Sequence, residues 1–146
     1  HPYEEVAYDL IPLANTHPGI GSGMVGEFGN PLEESEFLAR VKEAFGLKVI
    51  RHTKLLGKPV KRVALCGGSG AFLISKAKAA GADAYLTGDI KYHEFFDADG
   101  KTLIADIGHY ESEQFTKELL YEFLQEKFHT FAIIFSNVVT NPISYL

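Results

Sequence analysis

The strongest constraint on the fold is an apolar run that passes through glycines into a helix-forming segment. Residues 63–66 are all apolar, residues 67–70 contain three glycines, and residues 71–80 favour a helix that Gly81 can end. An uninterrupted apolar run is typical of a parallel strand that is buried on both faces. The segment therefore predicts a strand, a tight turn and a helix, the repeating unit of a sheet covered by helices.

The same alternation of strand and helix patterns continues along the chain. Strands are predicted at 3–13, 24–28, 47–52, 63–66, 82–87, 102–107 and 130–135. Helices are predicted at 31–46, 71–80 and 112–127, with a further helical turn at His93 and an irregular tail at 136–146. The pattern indicates the α/β class, with a mixed, mostly parallel sheet flanked by helices.

Composition disfavours several classes of function. The net charge of −5 argues against a general affinity for nucleic acid or an anionic membrane. No apolar run approaches the length of about 20 residues that a helix needs to cross a bilayer, and the N-terminus lacks the pattern of a signal peptide. The single cysteine rules out an intramolecular disulfide. We therefore expect a cytoplasmic protein, and the missing initiator Met suggests a fragment.

Two glycine-rich stretches lack the features that a nucleotide-binding site requires. Residues 21–26 match GxGxxG, but residues 27–31 would break the helix that must follow, so a turn into a short strand is preferred. Residues 67–70 lack the Lys-Ser/Thr pair of a P-loop. Tight packing is preferred over anion binding there, although both stay open. Cys66 is interpreted as a core residue, because no neighbouring base is identifiable.

Four ionisable residues, Asp89, His93, His109 and Glu113, lie near the ends of the strands predicted at 82–87 and 102–107. The carboxyl ends of parallel strands are where ligands collect in open α/β sheets. His109 and Glu113 are four residues apart, so on a helix they share one face. An imidazole and a carboxylate suit a divalent metal, although such a pair can also be a surface hydrogen bond. A catalytic metal site would need further ligands.

The other candidates have less context. Asp89 and His93 could supply further ligands, orient a ligand or act as acid and base, and Asp89 could instead cap a helix. Asp106 could cap or orient the turn that follows its strand. His17 and His52 are assigned to loop or solvent positions. No catalytic residue is assigned.

These motifs together resemble a known family. The matching segments are 1–8 (HPYEEVAY), 21–27 (GSGMVGE), 62–70 (RVALCGGSG), 87–93 (TGDIKYH) and 108–113 (GHYESE). They closely resemble the GTP cyclohydrolase I type 2 homologue family, also called the Ngg-interacting-factor-three-like (Nif3-like) family. The resemblance follows the family's order and covers nearly the whole chain.

The resemblance implies a fold of two α/β halves that together enclose a dinuclear site for divalent metal ions. Family members often assemble as toroidal hexamers, and some carry an insert similar to the PII signalling proteins. Residues 1–17 would then be the end of such an insert or a connecting strand, and residues 18–146 the C-terminal half-domain.

The resemblance also implies roles for individual residues. His109 and Glu113 match the family's C-terminal metal ligands, with Glu113 bridging two ions (zinc, manganese or iron), and Asp89 and His93 would line the cleft. The family's other ligands, a His pair and an Asp, lie in an N-terminal half that has no counterpart in this sequence. We therefore expect this chain alone to bind metal weakly or not at all.

The implied function is metal-dependent hydrolysis of a nucleotide or another phosphate-containing small molecule, although whether the chain belongs to an enzyme stays open. The alternative is a non-catalytic metal-binding scaffold, regulatory or metal-delivery protein that acts as a homo-oligomeric ring. Nucleic-acid binding by the assembled ring is a third, weaker option.

Overall fold

The computed structural model describes residues 19–146; the strand predicted at 3–13, the boundary predicted at residue 17 and His17 lie outside them. The strands are β1 (Met24–Leu32), β2 (Arg51–His52), β3 (Val60–Ser69), β4 (Ala84–Gly88) and β5 (Leu103–Asp106). The helices are α1 (Glu34–Ala44), α2 (Ile74–Ala79), α3 (His109–Glu113) and α4 (Thr116–Lys127), with 3₁₀ helices at Ala71–Leu73 and Tyr92–Ala98.

The five strands form one mixed sheet in the order β1-β3-β4-β5-β2. The central pairs β3/β4 and β4/β5 are parallel, whereas the edge strands β1 and β2 are antiparallel to their neighbours. The predicted α/β class with a mixed, helix-flanked sheet is confirmed, and its parallel pairs lie at the centre. Parallel pairing brings the carboxyl ends of β3, β4 and β5 to the same edge of the sheet.

Helices cover both faces of the sheet, because successive strand residues point to opposite sides. On one face Leu103 and Ala105 pack in a cluster that includes residues of α1, and on the other Ile104 packs in a cluster that includes residues of α2. Cys66 is buried in the second cluster, as predicted for a core residue. Of the predicted helices, α1 buries Phe37 and Val41, and α2 buries Ile74 and Ala77.

The predicted elements differ most from the structure in three places. The strand predicted at 47–52 is reduced to β2, because the Leu47 N–H donates to Lys42 O at the end of α1. The helix predicted at 112–127 is two helices, and at the break the Gln114 side chain donates to the carbonyl of Phe45. The strand predicted at 130–135 is wrong: these residues form no strand, since no described strand pairs with them.

No helix in the described part of the chain is both long enough and apolar enough to span a bilayer.

Candidate functional site

The loops that follow β4 and β5 touch each other at the carboxyl edge of the sheet. The Ile107 N–H donates to Thr87 O at 2.8 Å, which continues the pairing of the two strands to their ends. A Cβ placed on Gly88 would lie 2.8 Å from the backbone nitrogen of His109, so only glycine permits this approach. The side chains that follow each strand, Asp89 and His109, are therefore brought together, as the sequence predicted from parallel strand ends.

Asp89 and His109 form a short hydrogen bond. His109 Nδ1 lies 2.6 Å from Asp89 Oδ2, and both side chains are about half exposed. Asp89 has a φ of 57°, a left-handed conformation that aspartate tolerates better than most residues. The hydrogen bond to Asp89 raises the pKa of His109 above its ordinary value, while burial acts in the opposite direction.

His109 and Glu113 form the second contact of the site. They are the first and last residues of α3, and His109 Nε2 lies 3.3 Å from Glu113 Oε2. The helical spacing predicted this shared face. We call these two residues the donor pair. Because Asp89 occupies the Nδ1 edge of the imidazole, the Nε2 edge and the Glu113 carboxylate point to a common region.

Gly68 forms the floor beneath the donor pair. It has a φ of +64°, and a Cβ there would lie 2.5 Å from Glu113 Oε1 and 3.3 Å from His109 Nε2. Its N–H donates to Ser112 Oγ at 2.8 Å, and the Ser112 hydroxyl donates to His109 O at 2.7 Å. Any side chain at position 68 would displace the donor pair. Gly67 and Gly68 therefore lie directly against α3.

His93 and His52 lie apart from these hydrogen bonds. His93 is exposed on the 3₁₀ helix Tyr92–Ala98, where its ring meets the Tyr92 ring edge-on at 5.2 Å. Within residues 19–146 it makes no hydrogen bond with Asp89 or the donor pair, so its role in the cleft stays a prediction. His52 is exposed on β2, with Nδ1 2.7 Å from Thr53 O.

The chemistry of the donor pair suits a divalent cation, since imidazole nitrogen and carboxylate oxygen are ligands of zinc, manganese and iron. Among residues 19–146, no group of three or more His, Cys, Asp and Glu side chains is arranged to hold a metal ion. The Asp89 carboxylate lies at Nδ1, on the other edge of the ring from the pair. The donor pair therefore fits two positions of a metal site, and a complete site needs further ligands.

A cleft of about 530 Å³ opens beside the donor pair. Its walls come from α3, the start of α4 and tail residues between 138 and 143. Two side chains of the tail hold it to α3 through Glu111 Oε1, which accepts from Tyr145 Oη at 3.1 Å and from Asn141 Nδ2 at 3.4 Å. The cleft is large enough for a small molecule, and the donor pair lies in its wall.

Comparison with known sequences identifies relatives over the whole chain. Residues 4–142 match the family described as Duf34/NIF3 (NGG1p interacting factor 3). The chain is 38% identical over 151 residues to a GTP cyclohydrolase 1 type 2 homolog from Bacillus subtilis. It is 36% identical over 151 residues to a protein of the same name from Halalkalibacterium halodurans. Both alignments take in 100% of this chain but only 40% of the relative.

Solved structures give the same result for the fold. A Bacillus cereus protein related to NIF3 is similar with a TM-score of 0.74 and 35% identity, over 100% of this chain and 41% of that one. The Staphylococcus aureus protein SA1388 is similar with a TM-score of 0.73 and 29% identity, over 85% of this chain and 42% of that one. The chain therefore belongs to the Duf34/NIF3 family and spans about 40% of the length of the curated relatives that it matches.

Proposed function

We propose that the donor pair contributes two ligands to a divalent-metal site of a longer protein, and that this protein hydrolyses a nucleotide or another phosphate-containing small molecule. The observation that carries the proposal is the 2.6 Å bond from His109 Nδ1 to Asp89. A carboxylate on one imidazole nitrogen is the usual companion of a histidine whose other nitrogen binds metal. The homo-oligomeric ring and the cytoplasmic location expected from the sequence belong to the same proposal.

The residues of this chain prepare the site in three ways. When the ring carries its proton on Nδ1, this N–H donates to Asp89, and the lone pair of the neutral ring is on Nε2. Glu113 adds a negative charge whose two oxygens can face two cations. Because Gly68 has no side chain, His109 and Glu113 can pack against the backbone at the edge of the sheet. When bound, the metal would polarise a substrate oxygen and lower the pKa of a water molecule.

Two further observations support a small-molecule substrate. The cleft of about 530 Å³ adjoins His109 and Glu113, so a bound molecule would lie next to the metal. The relatives carry the name GTP cyclohydrolase 1 type 2 homolog, which points to a nucleotide. The relatives are also about two and a half times as long as the aligned region, which leaves ample sequence for the remaining ligands.

The test compares metal content and turnover in the full-length protein that carries these residues. Glu113→Gln keeps the shape of the side chain but weakens it as a ligand, so we expect at least about tenfold weaker binding of manganese, zinc or iron and loss of turnover. Glu118→Gln is the matched control, because Glu118 makes the same charge change on the exposed surface of α4. Calorimetric titration and a panel of nucleotides supply the two measurements.

The outcomes separate the candidate functions. Metal binding that depends on Glu113 without turnover on any nucleotide would favour the non-catalytic scaffold or metal-delivery protein. Metal binding that is equally tight in Glu113→Gln and in wild type would contradict the metal site itself. The same titration on the 146-residue chain should give weak binding or none, and tight binding of two ions would overturn the view that it holds only part of the site.

A further inference from the structure

One buried carboxylate holds both loops that carry the site. Asp106, the last residue of β5, has a side chain that is 5% exposed. Its Oδ2 accepts from the Ile90 N–H at 3.1 Å, and its Oδ1 accepts from the Gly108 N–H at 3.0 Å. Ile90 follows Asp89 and Gly108 precedes His109. The two oxygens of Asp106 therefore bind the backbone N–H groups of the residue after Asp89 and of the residue before His109.

Arg51 completes this clamp from the neighbouring edge strand. It pairs with Asp106 in the β2/β5 register, and its Nη1 lies 3.2 Å from Asp106 Oδ2. Its Nη2 donates to Ile90 O at 2.6 Å, so the guanidinium bonds to the loop as well as to the carboxylate. The guanidinium carbon also lies 5.2 Å from the centre of the Phe95 ring, which fixes its orientation further.

The loop after β4 needs such a clamp because its backbone is strained at Asp89. Asp89 has a φ of 57°, and Gly108 a φ of 89°. Left-handed conformations are unfavourable for a non-glycine residue, whereas glycine adopts them freely, and at other residues they persist only where the surroundings determine them. Without the bonds to Asp106, the N–H groups of Ile90 and Gly108 would lose their acceptor. The loop after β4 would then move to a less strained conformation, and the loop after β5 would lose its bond to the carboxylate.

We propose that Asp106 and Arg51 are positioning residues, which set the Asp89–His109 pairing and thereby aim His109 Nε2 at the space beside Glu113. They act through the backbones of the two loops. The Gly108 bond agrees with the sequence prediction that Asp106 caps or orients the turn after its strand. The consequence for metal binding rests on the proposed function, whereas the effect on His109 is a property of this chain alone.

The chain offers a matched control for each residue. Asp83 Oδ2 accepts two backbone N–H groups, from Lys61 at 2.9 Å and Arg62 at 2.7 Å, before the start of β4. Asp83→Asn therefore weakens a comparable pair of backbone bonds at the amino end of the parallel strands, because a neutral amide oxygen replaces the carboxylate. Arg40 is 59% exposed and pairs with Glu36, while Arg51 is 56% exposed, so Arg40→Gln controls for Arg51→Gln.

The experiment measures the imidazole tautomer of His109 from its ¹⁵N chemical shifts at pH 8, with His109→Gln to assign the signals. We expect wild type to keep the proton on Nδ1. Asp106→Asn and Arg51→Gln should shift the ring towards the Nε2–H tautomer, and Arg51→Lys should restore part of the wild-type signal. Asp83→Asn should lower the melting temperature but leave the His109 signals unchanged, and Arg40→Gln should change neither.

The proposal is overturned if Asp106→Asn and Arg51→Gln leave the wild-type tautomer in place, or if Asp83→Asn changes it equally. Should Asp106→Asn fail to fold, Arg51→Gln alone decides, because its side chain is half exposed and lies at the sheet edge. Metal titration of the full-length protein separates the two proposals. A fall of about 10-fold or more in affinity in the Arg51 variant supports both. A tautomer shift without any loss of affinity supports the clamp and contradicts the metal site.

Discussion

The sheet and the C-terminal segment that follows it use similar residues in different ways. In β5, Leu103 has none of its surface exposed, whereas Leu119 of α4 is 66% exposed. Within residues 19–146 no residue of α4 is buried, although its apolar positions recur with helical spacing. Periodicity thus predicted an amphipathic helix in the right place, but burial depends on what packs against it. A helical apolar pattern therefore specifies which face of a helix can be buried, but it does not specify what packs against that face.

The candidate site lies where these two regions meet. From the side of the sheet, His109 is held by Asp89, by Gly68 through Ser112, and by the Asp106 clamp. From the other side, the cleft wall is a tail joined to α3 and α4 by side-chain contacts, such as Lys117 Nζ to Ser136 O at 3.1 Å. One side of the site is therefore held by the sheet, and the other by side-chain contacts of the tail.

The largest expected effect is on the free energy of unfolding, when a leucine is replaced by alanine in the sheet and, for comparison, in α4. Leu103→Ala leaves a cavity in the sheet and should lower the free energy of unfolding by about 3 kcal/mol. Leu119→Ala removes an exposed side chain and should change it by less than about 0.5 kcal/mol. Urea denaturation measures both. Equal losses would contradict the difference in packing between the sheet and α4.

An alkaline pH series tests the sheet more selectively. Burial raises the pKa of Tyr85 to about 12, and its hydroxyl donates to Gly70 O at 2.8 Å. Because the unfolded tyrosine ionises near pH 10, its stabilising contribution is complete below that pH and is lost as the pH rises towards 12. The loss attributable to Tyr85 should be about 2 kcal/mol. Denaturation between pH 9 and 12 should show a shallower decline in Tyr85→Phe, and identical slopes would contradict the assignment.

The smallest effect is expected in the tail. Tyr145→Phe removes the hydrogen bond to Glu111 and should lower the free energy of unfolding by about 0.5 to 1 kcal/mol. Amide exchange should accelerate between residues 138 and 145, where the tail lines the cleft, and stay unchanged in β4 and β5. Faster exchange in the strands as well would mean that the tail and the sheet unfold as one unit.

Much of the site could be predicted from local sequence. The spacing of His109 and Glu113 on one helical face and the approach of Asp89 to the end of the next strand both follow from the geometry of helices and parallel strands. Gly68, Ser112 and Arg51 were missed as supports. The Gly68–Ser112 bond joins residues 44 apart, and the Arg51–Ile90 bond joins residues 39 apart. The GGSG turn and the ESE segment of α3 are recognisable in the sequence, but neither indicates the residue to which it bonds.

The sequence by itself determined the α/β class, the buried strands and the family, because these depend on the repeating apolar pattern and on motifs that are contiguous in the chain. Only the tertiary structure decided which strands lie at the edges, that residues 130–135 form no strand, and which ring nitrogen of His109 faces Glu113. The physical reason is that these features depend on contacts between distant residues. A strand forms only beside another strand with which it can pair, and an imidazole is oriented only by the groups that the fold brings to its two nitrogens.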